Sequence, residues 1–134
     1  QGEPGHQIDS GAVVRAMGVE NLWVVDAMNV AGVEQAIREA MAVEDRPSVI
    51  YVKGECVFLR GYQRRPTAVV DPEICNGCGF CFRVGCPAIL KAEETDEGTG
   101  RPKAEIDPLL CTGCTVCLQV CPRSAIYQTD QQET

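Results

Sequence analysis

The sequence predicts an α+β chain in which a β-α-β unit is followed by a small cysteine-rich module with an internal two-fold repeat. Three observations carry that expectation. Two apolar runs flank a helical stripe within residues 21–52. The stretch Cys75-Asn-Gly-Cys78-Gly-Phe-Cys81, followed by Cys86-Pro87, returns 36 positions on as Cys111-Thr-Gly-Cys114-Thr-Val-Cys117, followed by Cys121-Pro122. Aromatic residues make up only 5% of the 134, so a large aromatic core is not expected and the small module needs another staple. The expected division is residues 1–60, a basic linker at 61–65, the repeat module at 66–128 and a polar tail at 129–134.

Asp9-Ser10 can cap a short helix that carries Val13, Ala16 and Met17 on one face and stops at Gly18. Asn21-Leu-Trp-Val-Val25, ending in Asp26, reads as a strand buried on both faces, as in parallel sheets. Asn29 offers an N-cap for a helix whose stripe is Val33, Ala36, Ile37, Ala40 and Met41, with Glu34, Arg38 and Glu39 outside and Pro47 ending the segment. Ser48-Val-Ile-Tyr-Val52 is the second strand, before Gly54. One β-α-β unit cannot bury both faces of its strands, so this is expected to be a piece of a larger α/β sheet. Ligands of such sheets gather at the carboxyl ends of strands, here Asp26–Asn29 and Gly54–Cys56, though ordinary strand-to-loop junctions explain both. Cys56 is expected to be a small buried hydrophobe in a strand, and His6 a solvated terminal residue.

Gly61 to Pro66 is the boundary. Beyond it, Arg65-Pro66 to Asp71-Pro72 aligns with Arg101-Pro102 to Asp107-Pro108, and the three leading cysteines and Gly77 align with their counterparts and Gly113. Each half should be a short strand, an Asp-Pro turn, a cysteine loop, a Cys-Pro turn and a returning strand (Ala88–Lys91 and Ala125–Tyr127). Glu93–Pro102 should be a polar loop joining antiparallel strands.

Eight of nine cysteines in two tight clusters point to metal in a reducing compartment rather than to a secreted disulfide framework. Structural zinc is built from paired C-x2-C arms, and the third thiol at the same interval has no place in a tetrahedral site. The spacing suits iron–sulfur clusters, with zinc and disulfides as rivals. Gly77 and Gly113 suit a tightly wrapped loop that turns backbone N–H groups toward sulfur, which raises reduction potential. Pro87 and Pro122 fix the turns after the last cysteines. Ile74, Phe80, Ile89, Leu110, Val116, Val120 and Ile126 are candidates for an apolar jacket.

The doubled motif resembles bacterial-type 2[4Fe–4S] ferredoxins over residues 66–127. That resemblance implies ligands crossed between the repeats, with Cys75, Cys78, Cys81 and Cys121 on one cluster and Cys86, Cys111, Cys114 and Cys117 on the other. All positions being cysteine, two [4Fe–4S] clusters are expected, with [3Fe–4S] forms in oxidised material. The departure is four residues between Cys81 and Cys86, where the short bacterial pattern, and Cys117–Cys121, have three.

The formal charge of −7 argues against nucleic acid and suits either steering toward a basic redox partner or plain solubility. No stretch approaches the ~20 apolar residues of a membrane span, and residues 1–6 have no signal-peptide pattern. Starting at Gln1, the chain is expected to be cytoplasmic and either processed or part of a longer one.

Ala12–Glu20, Val24–Asp26, Val33–Met41 and Pro47–Ile50, followed by Cys56 and the cysteine module with its longer Cys81–Cys86 gap, are similar to the C-terminal region of the indolepyruvate ferredoxin oxidoreductase α subunit family. The first half then resembles the closing segment of a thiamine-diphosphate domain. The resemblance implies oxidative decarboxylation of 2-oxo acids by the whole enzyme, with this chain as its electron exit to an external ferredoxin or other redox partner. The diphosphate and Mg²⁺ motif is absent, so thiamine diphosphate and Mg²⁺ are expected on another portion or subunit, and no catalytic residue is assigned here. The alternatives are a freestanding 2[4Fe–4S] ferredoxin-like carrier or small redox subunit, and a zinc-bound interaction module.

Overall fold

A computed structural model of the chain describes Gly5, residues 8–59 and residues 62–129. His6, Gly61 and residues 130–134 of the polar tail lie outside the described residues. The chain divides into two compact units, Gln1–Tyr62 and Gln63–Thr134. No helix among the described residues is long and apolar enough to cross a membrane.

The first unit is built from local signals. Helix α1 (Ser10–Ala16) starts where the Asp9 carboxylate accepts from the Ala12 N–H at 3.0 Å, and Gly18 (φ 85°) follows its end. Strand β1 (Asn21–Asp26) and strand β2 (Ser48–Lys53) pair in parallel, Asn21 opposite Ser48 and Asp26 opposite Lys53. Between them runs helix α2 (Val30–Met41), capped by the Asn29 side chain accepting from the Gly32 N–H at 3.0 Å. The β-α-β unit therefore forms as expected, but α2 stops at Met41, well before Pro47.

Burial departs from expectation. The strands are not buried on both faces: Val24, on the face it shares with Tyr51, is exposed, and so is Val52 on the opposite face, next to the end of β2 at Lys53. Ala36 is the one fully buried apolar residue described here, and Ile37 and Met41 at the end of the stripe are open. On α1 the expected face is also wrong. Val13 and Met17 are exposed, whereas Gly11 approaches Leu22 of β1. Trp23 of β1 donates its indole N–H to Glu39 of α2 at 2.6 Å, giving a residue assigned to the outer face a partner. Cys56 is exposed rather than buried in a strand, since β2 ends at Lys53 and Cys56 begins a turn whose carbonyl accepts from the Leu59 N–H.

The second unit has shorter elements and a denser centre. Strand β3 (Ala68–Val70) leads into the first cysteine loop, a 3-10 turn spans Cys81–Val84, and strand β4 (Ile89–Thr95) returns. Strand β5 (Pro102–Ile106), the second loop, helix α3 (Val116–Val120) and strand β6 (Ile126–Gln128) follow the same order. The ladders exchange halves: β3 pairs antiparallel with β6, and β4 with β5. Val70 faces Ile126 as Ile106 faces Ile89, and Ala68 faces Gln128 as Ala104 faces Lys91. The polar stretch from Glu93 is not all loop. Its first three residues continue β4, with an irregularity between Lys91 and Thr95, because their side chains stay in solvent while the backbone still finds partners. Ala68, Ala88, Ile89, Ala104 and Ile126 are buried in one cluster with Cys81, Cys111 and Cys117.

Candidate metal centre

Each cysteine loop begins on a backbone turn. In the first, the Cys75 N–H donates to the Asp71 carbonyl at 3.0 Å. In the second, the Cys111 N–H donates to Asp107 at the same distance. Gly77 and Gly113 have φ of 65° and 70°, as the spacing demands. A side chain is excluded at each for a second reason. A Cβ on Gly77 would lie 2.8 Å from the Arg101 carbonyl oxygen, and one on Gly113 only 2.5 Å from that of Pro66. Each loop thus rests on the backbone that enters the other half's first strand.

This arrangement sorts eight thiols into two groups. One cavity is lined by Cys75, Cys78, Cys81 and Cys121, and another by Cys86, Cys111, Cys114 and Cys117. Each holds about 360 Å³ of empty space, its opening included. Three thiols of each set come from one loop and the fourth from the other half, so strand exchange is what completes each set. Turns closed by Ile89 N–H to Cys86 carbonyl and Ser124 N–H to Cys121 carbonyl carry the chain away after Pro87 and Pro122. The extra residue between Cys81 and Cys86 is absorbed where the 3-10 turn ends in Gly85, at φ 68°.

Electrostatics reports the same grouping. Burial pushes the Cys81 thiol up, and Cys75, Cys121 and Cys78 push it the same way. Burial pushes Cys117 up to about 11, with Cys114, Cys111 and Cys86 adding to it. Both therefore favour the neutral thiol near pH 7, so metal uptake there displaces a proton and strengthens as pH rises. Sulfur also meets backbone donors, Ala125 N–H to Cys121 Sγ at 3.3 Å and Ala68 N–H to Cys111 Sγ at 3.4 Å. These two donors come from strand ends.

The apolar jacket is partly the expected one. Ile89 and Ile126 are buried and line the two cavities, Val116 lines the second, and Val120 is half-buried. Ile74, Phe80 and Leu110 are exposed instead, because they sit on the outer side of the loops; the Arg83 guanidinium lies 5.1 Å from the Phe80 ring centre. The walls use Val70, Phe82, Ala104 and Ala125 on one side and Ala68, Val84, Ala88 and Ile106 on the other. The alternation of the short strands could have pointed to the alanines, which look featureless in sequence.

Among the described residues, no three His, Cys, Asp or Glu side chains gather as a single metal ion requires. Four thiols around a cavity instead suit a multi-iron cluster, whose ligands sit at its separate corners. The donor set fits [4Fe–4S] on that ground: four soft thiols, apolar walls and N–H donors to sulfur.

Residues 74–125 match a family described as a 4Fe-4S dicluster domain. The chain is also similar to the indolepyruvate oxidoreductase subunit IorA of several organisms. Identity is 37% with that of Pyrococcus horikoshii, over 64% of this chain and 14% of the relative. It is 36% with that of Methanothermobacter thermautotrophicus, over 69% and 15%. For Thermococcus kodakarensis it is 35%, over 68% and 15%. The chain therefore spans about 15% of the length of the curated relatives it matches.

Proposed function

We propose that this chain, which carries a 4Fe-4S dicluster domain and is a homologue of part of IorA, is the C-terminal electron-transfer part of a 2-oxoacid oxidoreductase of the indolepyruvate type. The observation that carries the reading is the pair of cavities, each lined by three thiols of one loop and one of the other half. Cys75, Cys78, Cys81 and Cys121 would hold one cluster, and Cys86, Cys111, Cys114 and Cys117 the second, in a module of two duplicated halves. When bound, each cluster accepts and releases one electron at a time. The chain's own residues do the rest. The alanines and Ile89 and Ile126 keep water from the sulfurs, and Ala125 and Ala68 donate N–H groups that favour the more negative state.

The first unit supports the larger-enzyme reading. Its parallel β-α-β pairs well locally, yet it leaves Val24, Val52, Ile37 and Met41 open, as a piece of a larger thiamine-diphosphate-type sheet would. Thiamine diphosphate and Mg²⁺ then belong to another portion or subunit, the acceptor is an external ferredoxin or other redox partner, and the site of action is the cytoplasm. The self-contained core of the second unit favours a second reading, a freestanding ferredoxin-like carrier.

Anaerobic preparation tests the site. A brown protein with about eight irons per chain, whose absorption near 400 nm bleaches with dithionite, is expected. A colourless zinc protein overturns the proposal. Co-purification from the native source decides between the two readings. A thiamine-diphosphate-containing partner or longer form is expected, and a stable lone chain favours the carrier.

A further inference from the structure

The two cavities match at most wall positions. Val70, Ala104, Ala125 and Ile126 of the first stand where Ile106, Ala68, Ala88 and Ile89 stand in the second. Each site also receives one backbone N–H on sulfur, from Ala125 and from Ala68. Three polar differences break the match, the first being Gly79, which stands in the first cavity where Thr115 lines the second. Asn76 in the first loop occupies the place of Thr112 in the second. Arg123 lines the first cavity, whereas among the described residues the second wall carries no charged side chain.

Asn76 is the informative one. Its side-chain oxygen is buried and has no hydrogen-bond partner. The backbone at Asn76 is held in place, since its carbonyl accepts from the Thr99 hydroxyl at 2.9 Å and the preceding Cys75 N–H is tied to Asp71. A buried acceptor without a partner is unfavourable, and the residue that carries it lines the thiol-bearing cavity. A half-turn about the last torsion exchanges that oxygen for the NH2 group, a donor that thiolates and sulfides can accept. Thr112 has a single hydroxyl proton to offer at the matching place, and Thr115, on the second wall where the first has Gly79, offers one more, whereas the Asn76 amide alone carries two.

We propose that Asn76 makes the two clusters unequal, setting the one held by Cys75, Cys78, Cys81 and Cys121 at the higher reduction potential. This rests on the ligand assignment proposed above. A hydrogen bond donated to sulfur stabilises the extra negative charge of the reduced state, and the positive charge of Arg123 acts in the same direction, though it too is exposed and screened. The exposed charges beyond the walls, Glu73 by the first loop and Arg64 by the second, act the other way through solvent and are screened. An electron given to the pair then rests at the Asn76 site, each transfer removing one electron from the other cluster and delivering one to this one.

The test is a dithionite titration of the cluster-loaded chain followed by electron paramagnetic resonance. Two separate midpoint potentials are expected. Asn76→Thr should lower only the higher one, and the reciprocal Thr112→Asn should raise only the lower one, narrowing the gap from either side. Asn76→Asp, of the same shape without the donor, should lower the higher potential further than Thr does. Equal potentials in the native chain, or reciprocal variants that leave both potentials in place or move the opposite cluster, overturn the inference. If Asn76→Thr loses its cluster, the Thr112→Asn titration still decides. A chain that binds no iron overturns the ligand assignment itself, a distinct outcome.

Discussion

The two units invert the usual relation between secondary structure and core. The first unit has the longest helix and the best-paired strands, yet Ala36 is its one fully buried apolar residue among those described. The second unit is made of three- to seven-residue strands and short turns, yet it holds nearly all the buried side chains. Caps and periodicity are enough to form α2 and the parallel pair, since both are local. A core needs faces that meet, and the first unit leaves Val24 exposed on one face of its sheet and Val52 on the other. The second unit needs little apolar area because its centre is organised by thiols and closed by alanines.

The largest test of that contrast is removal of the metal. Chelation of the loaded chain should melt the second unit, because eight converging thiols without a cluster leave a weak core, while the helix of the first unit persists. Hydrogen exchange would report loss of protection at Ala68, Ala104 and Ile126 with α2 amides unchanged; simultaneous loss in both units would break the contrast. A smaller effect is expected from Gly113→Ala. Positive φ and the close approach to the Pro66 oxygen should cost about 2–4 kcal/mol, read as a lower unfolding midpoint of the second unit alone. Smaller still is Asn29→Ala, which removes the cap of α2. It should cost about 1 kcal/mol of stability in the first unit, seen as reduced helicity, and leave the iron content unchanged.

How much of this was legible in sequence follows the same division. The caps at Asp9 and Asn29, the order of elements along the chain and the two cysteine loops were readable, because each depends on residues close together or on a repeated spacing; the crossing of the fourth cysteine came only from the resemblance to ferredoxins. Burial was not. Val13 and Met17 on α1, and Ile74, Phe80 and Leu110 beside the cysteines, look like core residues by type, but which side of a loop or short helix faces inward depends on distant strands. Cys56 misleads in the same way, since an apolar neighbourhood in sequence does not extend β2 past Lys53. Asn76 carries no signal beyond its mismatch with Thr112, and its stranded oxygen appears only once the loop is folded.

The central claim is that the fourth ligand of each cluster crosses between the halves. Cys121→Ser and Cys75→Ser, each followed by electron paramagnetic resonance of the dithionite-reduced chain, test it most directly. Both substitutions are expected to perturb one and the same cluster signal and to spare the other, which Cys117→Ser should perturb. If Cys121→Ser instead perturbs the signal that Cys117→Ser perturbs, the ligands do not cross and the assignment is contradicted.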